Sequence, residues 1–198
     1  MTGIVVADTG PLIALGRVKC LKLLHDLYQD ILIPPAVHDE LHLGSGRPGA
    51  RQSAEALEQG WLQVQEPSPG SAQALSELKL VLDPGEAEAI LLAEEVNCKF
   101  LLIDERKGRA IANRRGVPVV GIAGVLLAAK KRGLIDAVVP IVKNLEQAGY
   151  RMSAELSKEI ARLAGEGGEW MGSVNRPRIR LHEASAGTWE KCSGVTIS

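Results

Sequence analysis

The sequence predicts an α/β domain built on a largely parallel sheet, on three observations. Short apolar runs rich in β-branched residues recur between residues 3 and 122. Helical patterns separate them, and two of the runs end in aspartate. Runs this short suit strands buried on both faces, and strand–helix alternation is the pattern of parallel strands joined by crossovers.

The first run, "GIVVA" at 3–7, ends at Asp8. Residues 11–27 then place Leu12, Leu15, Val18, Leu21 and Leu24 at helical spacing, as two short helices broken near Gly16. "ILI" at 31–33 is a second strand, stopped by Pro34-Pro35, and Pro35 suits the first turn of a helix over 36–43. A helix over 50–59 precedes a weaker third strand, "LQV" at 62–64. For a helix over 83–96, Asp83 is the N-cap, Pro84 a first-turn residue, and Glu86 a carboxylate that complements the dipole. "FLLI" at 100–103 is a fourth strand ending at Asp104, and a basic helix over 106–115 leads to a fifth, "VPVVGI" at 117–122. Helices over 123–132 and 134–148 are divided by Gly133, and Ser153 caps a last helix to Leu163. "GSGRPG" at 44–49 and "EPSPGS" at 66–71 are loop compositions. The domain therefore spans 1–164, and residues 165–198 read as an irregular C-terminal tail.

The composition is 45% hydrophobic but only 3% aromatic, so the core must be aliphatic. A net charge of -1 predicts no polyanion partner from global charge, which leaves local clusters to do that work. No apolar run is long enough to span a bilayer, and the N-terminus lacks a basic start followed by a long apolar region. Cys20, Cys98 and Cys192 are odd in number and form no C-x-x-C pair, which fits reduced thiols in a cytoplasmic protein.

Ligands of open parallel sheets bind beyond the carboxyl ends of the strands. Asp8 and Asp104 stand there, and Glu105 follows Asp104 directly. Glu86 opens the helix before the fourth strand, and Glu40 lies on the helix after the second. A strand-ending aspartate is often a plain helix cap and a first-turn glutamate a dipole partner. Four carboxylates converging on one cleft, however, would take up protons unless a cation held them. Oxygen-only ligands suit Mg²⁺ or Mn²⁺, and such a site serves phosphodiester hydrolysis. Arg106, Lys107 and Arg109 follow the acidic pair and are candidates for gripping a phosphate backbone. Lys130, Lys131 and Arg132 read as a solvated face, and the tail adds Arg176, Arg178 and Arg180.

"HDELH" at 38–42 has the two-histidine spacing of a zinc-protease helix. On a helix His38 and His42 share a face from which Glu40 projects away, so they cannot easily serve one metal with it. The residue after the first histidine is Asp39 rather than glutamate, and the only later histidine is His182. The histidines read as surface residues, and Glu40 as the functional one.

The chain resembles the PIN-domain proteins, and more closely their compact VapC-like prokaryotic branch. The resemblance is carried by "VVADTGPLIALGRV" with Asp8, "IPPAVHDEL" with Glu40, "LDPGEAEAILLA" with Glu86, and "LLIDERKGRAIANRRGVPVVGIAGVLLAAKKRGLI" with Asp104. It covers roughly residues 3–163. It implies an α/β/α sandwich around a mainly parallel sheet, an acidic pocket for one or two Mg²⁺ or Mn²⁺ ions, and a ribonuclease directed at single strands. It also implies the toxin of a toxin–antitoxin pair, with a cognate antitoxin and a homodimer among its partners. Asp8 would be the central metal ligand, Glu40 and Asp104 would complete the site, and Glu86 would replace an aspartate common in other branches. Glu105 is a possible substitute for Asp104, whereas Glu88 lies two residues past Glu86 and points to another helix face. Gly10 departs from the small polar residue that relatives often carry there.

Metal-dependent RNA cleavage is therefore the leading expectation, with a binding module for RNA or a partner protein as the alternative. The basic segments hold no aromatic stacking motif that would separate RNA from DNA. "ADTGPLIALG" lacks the G-x-G-x-x-G cradle of a dinucleotide enzyme. Leu126, Leu127, Leu134, Ile135, Val138 and Val139 either pack on the sheet or offer an apolar surface for self-association.

Overall fold

The computed structural model describes residues 3–167. The chain divides into two compact units, Met1–Val125 and Leu126–Ser198.

The first unit holds five strands: β1 (Val5–Ala7), β2 (Ile31–Ile33), β3 (Leu62–Val64), β4 (Phe100–Leu102) and β5 (Val119–Val120). They pair in the order β3-β2-β1-β4-β5, every pair parallel. Its helices are α1 (Thr9–Arg17), α2 (Lys22–Tyr28), α3 (Pro35–Glu40), α4 (Pro48–Glu58), α5 (Ala72–Lys79), α6 (Pro84–Glu95) and α7 (Arg106–Arg114). The sheet grows from β1 to β3 in one direction and from β4 to β5 in the other, and because crossovers between parallel strands are right-handed as a rule, this order puts helices on both faces, as in the expected α/β/α sandwich. β1, β2 and β4 are buried along their whole length, as continuous aliphatic runs require.

The chain order reverses between β1 and β4, and that switch point locates the site. Val5, Val6 and Ala7 pair with Phe100, Leu101 and Leu102. The Asp8 N–H then donates to the Leu102 carbonyl at 2.9 Å, and the Ile103 N–H to the Val120 carbonyl at 3.0 Å. Asp8 and Asp104 are thereby fixed just past the carboxyl ends of neighbouring strands.

Several boundaries differ from the sequence pattern. The break after α1 falls at Val18–Leu21, with Lys19 at φ 58°, and not at Gly16. Gly16 sits inside the helix because α1 crosses α4 there: a Cβ at Gly16 would lie 2.7 Å from Gly49 Cα. α3 stops at Glu40, since His42 is left-handed at φ 46°. His38 and His42 therefore do not share a helix face; His42 is exposed and His38 half-buried against Asp39. The strand expected over 117–122 is only Val119–Val120. α5 was not anticipated. It follows a proline-containing loop and buries only Leu78, so it carries almost no periodic signal.

α8 (Ile122–Lys131) starts in the first unit and runs into the second, which also holds α9 (Val139–Gln147) and α10 (Ala154–Leu163). Ser153 caps α10 through Leu156 N–H at 3.2 Å. α9 begins later than the expected 134, after the left-handed Gly133 and with Pro140 in its first turn. Glu166, which the pattern assigns to the tail, is buried and accepts from Val138 N–H and Val139 N–H at 2.8 and 2.9 Å. Lys130 also donates to it, and these contacts hold the Glu166 carboxyl below the usual range despite its burial. Of the six apolar residues considered for self-association, Leu126, Ile135, Val138 and Val139 are buried, and Leu127 and Leu134 are half-buried. Arg176, Arg178, Arg180 and the rest of the expected tail from 168 onward lie outside the described residues.

Candidate functional site

Asp8 occupies the N-cap position of α1 but makes no side-chain capping hydrogen bond. It is 7% exposed, and burial drives its pKa from 3.8 to about 7. The nearby N–H groups of Thr9 and Gly10 pull it down part of the way, while the charges of Glu86 and Glu40 push it up. A residue serving only as a helix cap would show the opposite balance, because capping stabilises the carboxylate.

Glu86 enters the same region from the first turn of α6 and is also buried. Burial raises its pKa; the Asp83 N–H opposes this, and the charges of Asp83, Glu105 and Glu40 add to it. Proximity to its own N-cap N–H is half of a capping box, so Glu86 helps start the helix while feeling the charges of Glu40 and Glu105. The missing side chain at Gly108 gives it room: a Cβ there would lie 2.9 Å from Glu86 Oε1.

Glu40, the last residue of α3, is held at both oxygens. Thr9 Oγ1 donates to Oε2 at 2.6 Å and the Gly85 N–H donates to Oε1 at 3.1 Å. A Cβ at Gly85 would come within 2.7 Å of both oxygens, so glycine is what lets the carboxylate approach the start of α6. The sequence pattern missed Thr9 and Gly85. Their only sign was adjacency, one following Asp8 and the other preceding Glu86.

Asp104 stands at the end of the neighbouring strand β4. Its Oδ1 accepts from Ile122 N–H at 3.1 Å, tying the end of β4 to the start of α8, and a Cβ at Gly121 would meet that oxygen at 2.5 Å. Glu105 caps α7 by accepting from Lys107 N–H at 3.5 Å, is exposed, and is the member of the pair whose charge reaches Glu86. Arg106 and Lys107 are exposed on the first turn of α7. Arg109 is half-buried and turns back to donate to the Ile103 carbonyl at 2.8 Å.

The donor set suits a hard divalent cation: it offers only oxygen, and among the described residues no lysine, arginine or histidine forms an ion pair with Asp8, Glu40 or Glu86. The spacing is open, however. Among the described residues no three His, Cys, Asp or Glu side chains converge closely enough to enclose an ion as they stand.

Asp8 just past β1, Glu40 at the end of α3 and Glu86 at the start of α6 act on one another through their charges near the switch point of the parallel sheet, which defines the class as an open α/β protein. A family model described as a PIN domain matches residues 4–166, and the chain belongs to that PIN-domain family, whose fold is of nuclease type. No curated protein matches the chain. Among the described residues no helix is long and apolar enough to cross a membrane.

Proposed function

We propose that this protein is a Mg²⁺- or Mn²⁺-dependent endoribonuclease that hydrolyses phosphodiester bonds in single-stranded RNA. The observation that carries the reading is Asp8, buried with no ion-pair partner among the described residues and with its pKa raised to about 7 chiefly by burial, the charges of Glu86 and Glu40 adding to it. Such a group either binds a proton or binds a cation, and at a topological switch point the second is the functional choice.

Asp8, Glu40 and Glu86 would hold the ion, with Asp104 or Glu105 completing the set from the end of β4. When bound, the ion supplies Lewis acidity and lowers the pKa of water at the scissile phosphate. Thr9 and Gly85 fix the Glu40 carboxylate, so its orientation is set before substrate arrives. Arg106 and Lys107 extend into solvent beside Glu105 and suit phosphate contacts along a strand. Arg109, bonded to Ile103, braces the strand end instead. A toxin role with a cognate antitoxin rests on family resemblance alone.

A second reading is favoured by the open spacing of the carboxylates: a PIN-fold module that binds RNA or a partner protein without cutting. Labelled single-stranded RNA and DNA, each incubated with the purified protein in Mn²⁺, Mg²⁺ or EDTA, separate the two. RNA cleavage that EDTA abolishes supports the nuclease. Binding without cleavage in every metal arm supports the module, and cleavage of DNA alone overturns the RNA assignment.

A further inference from the structure

α3 carries Glu40 to the cleft but has only six residues, too few to persist without tertiary support. It also starts badly. Pro34 offers no side-chain cap and Pro35 has no N–H, so Ala36 presents the first N–H of the helix. That N–H donates to Glu88 Oε2 at 3.0 Å, and Lys79 Nζ at the end of α5 donates to Glu88 Oε1 at 2.9 Å. The Glu88 side chain is 13% exposed and that of Lys79 39%, so the pair is shielded on the glutamate side.

Glu88 lies two residues past Glu86, about 200° around α6. One helix therefore sends Glu86 into the cleft and Glu88 to the start of α3. At the other end of α3, Gly85 of the same helix donates to Glu40. We propose that Glu88, steadied by Lys79, is a positioning residue for Glu40: α6 grips α3 at both ends and so sets where the Glu40 carboxylate stands in the cleft. The functional consequence rests on the nuclease reading, but the clamp itself is geometric.

The test is amide hydrogen exchange by NMR on the full chain, with the Mn²⁺ concentration for half-maximal RNA cleavage measured beside it. In Glu88→Ala, Gly85 N–H exchanges at least about tenfold faster, as expected when a charge-assisted hydrogen bond is weakened. The amides of Val6 and Leu101 in the sheet stay protected. Half-maximal Mn²⁺ rises by about the same factor, with the maximal rate less affected. Glu88→Gln keeps an acceptor for Ala36 N–H and restores most of the Gly85 protection, and Lys79→Met falls between. Unchanged Gly85 exchange in Glu88→Ala, with only Ala36 deprotected, overturns the clamp and leaves Glu88 a local cap. Should Glu88→Ala not fold, Lys79→Met decides, and wild-type Gly85 exchange in it counts against the proposal. A wild-type protein that neither binds Mn²⁺ nor cuts RNA defeats the nuclease reading, while Gly85 exchange still decides the clamp.

Discussion

Asp8→Asn should stabilise the metal-free protein above neutral pH while removing its function. The Asp8 carboxyl holds its proton up to about pH 7 in the folded chain, against an ordinary value of 3.8. The folded state therefore binds this proton more tightly than the unfolded state, and the free energy of unfolding falls as pH rises between those values. Below pH 3.8 the group is neutral in both states and makes no difference; above about 7 the full penalty applies. At about 1.4 kcal/mol per tenfold change in proton affinity, that penalty is about 4 kcal/mol. Asparagine, close to an isostere of the neutral acid, escapes it. At about 2 to 4 °C per kcal/mol for a chain of this size, Tm at pH 8 in EDTA should rise on the order of 10 °C in the variant. At pH 4 the two proteins should nearly coincide. Thermal unfolding of both between pH 4 and 8, in EDTA and again in Mn²⁺, reads this directly. Mn²⁺ should raise the Tm of the wild type at pH 8 and leave the variant nearly unmoved. Parallel pH profiles in the two proteins would refute the reasoning, because the penalty would then not reside at Asp8.

Thr9→Val removes the 2.6 Å bond to Glu40 and should raise the Mn²⁺ concentration for half-maximal cleavage and destabilise by about 2 kcal/mol, whereas Thr9→Ser should behave nearly as wild type; Mn²⁺ titration and urea unfolding check both. Gly85→Ala puts a Cβ within 2.7 Å of both Glu40 oxygens, so it should lower cleavage and shift the Glu40 carboxyl resonance even though alanine ordinarily favours a helix. Gly16→Ala, at the α1–α4 crossing, should destabilise by about 1 to 3 kcal/mol in urea unfolding and leave the Mn²⁺ dependence of the remaining folded protein unchanged. Glu166→Gln should lose stability because the folded carboxyl sits below its usual range: the difference from wild type should be present at pH 7 and shrink as pH falls through the carboxylate range.

The strands and long helices were legible because their signals are local. "VVA" and "FLL" are uninterrupted aliphatic runs, and the "DPGE" start of α6 holds a cap, a first-turn proline and an N3 glutamate in four residues. α5 escaped because it buries a single leucine, Leu78, and helix periodicity cannot be read from one contact. The end of α3 was misplaced because a left-handed histidine is set by the chain around it, with no glycine at His42 to announce it. Asp8 and Asp104 were named as candidates from strand ends, Glu86 from a first turn and Glu40 from the helix after the second strand. What could not be read was their state. The grip of Thr9 and Gly85 on Glu40, the bond from Ile122 to Asp104, and the bond from Ala36 to Glu88 join residues up to 52 positions apart. Such contacts depend on the packed geometry. Glu166 was missed for the same reason, its glycine-rich surroundings resembling a tail while its carboxylate closes the start of α9.

The most direct test is Mn²⁺-dependent cleavage of labelled single-stranded RNA by the wild type, Asp8→Asn and Glu86→Gln, each shown to be folded by circular dichroism. Cleavage by the wild type that falls at least about a hundredfold in both variants is the expected result for groups at the reacting centre. Wild-type rates in Asp8→Asn would contradict it and place any nuclease activity outside the cleft between β1 and β4.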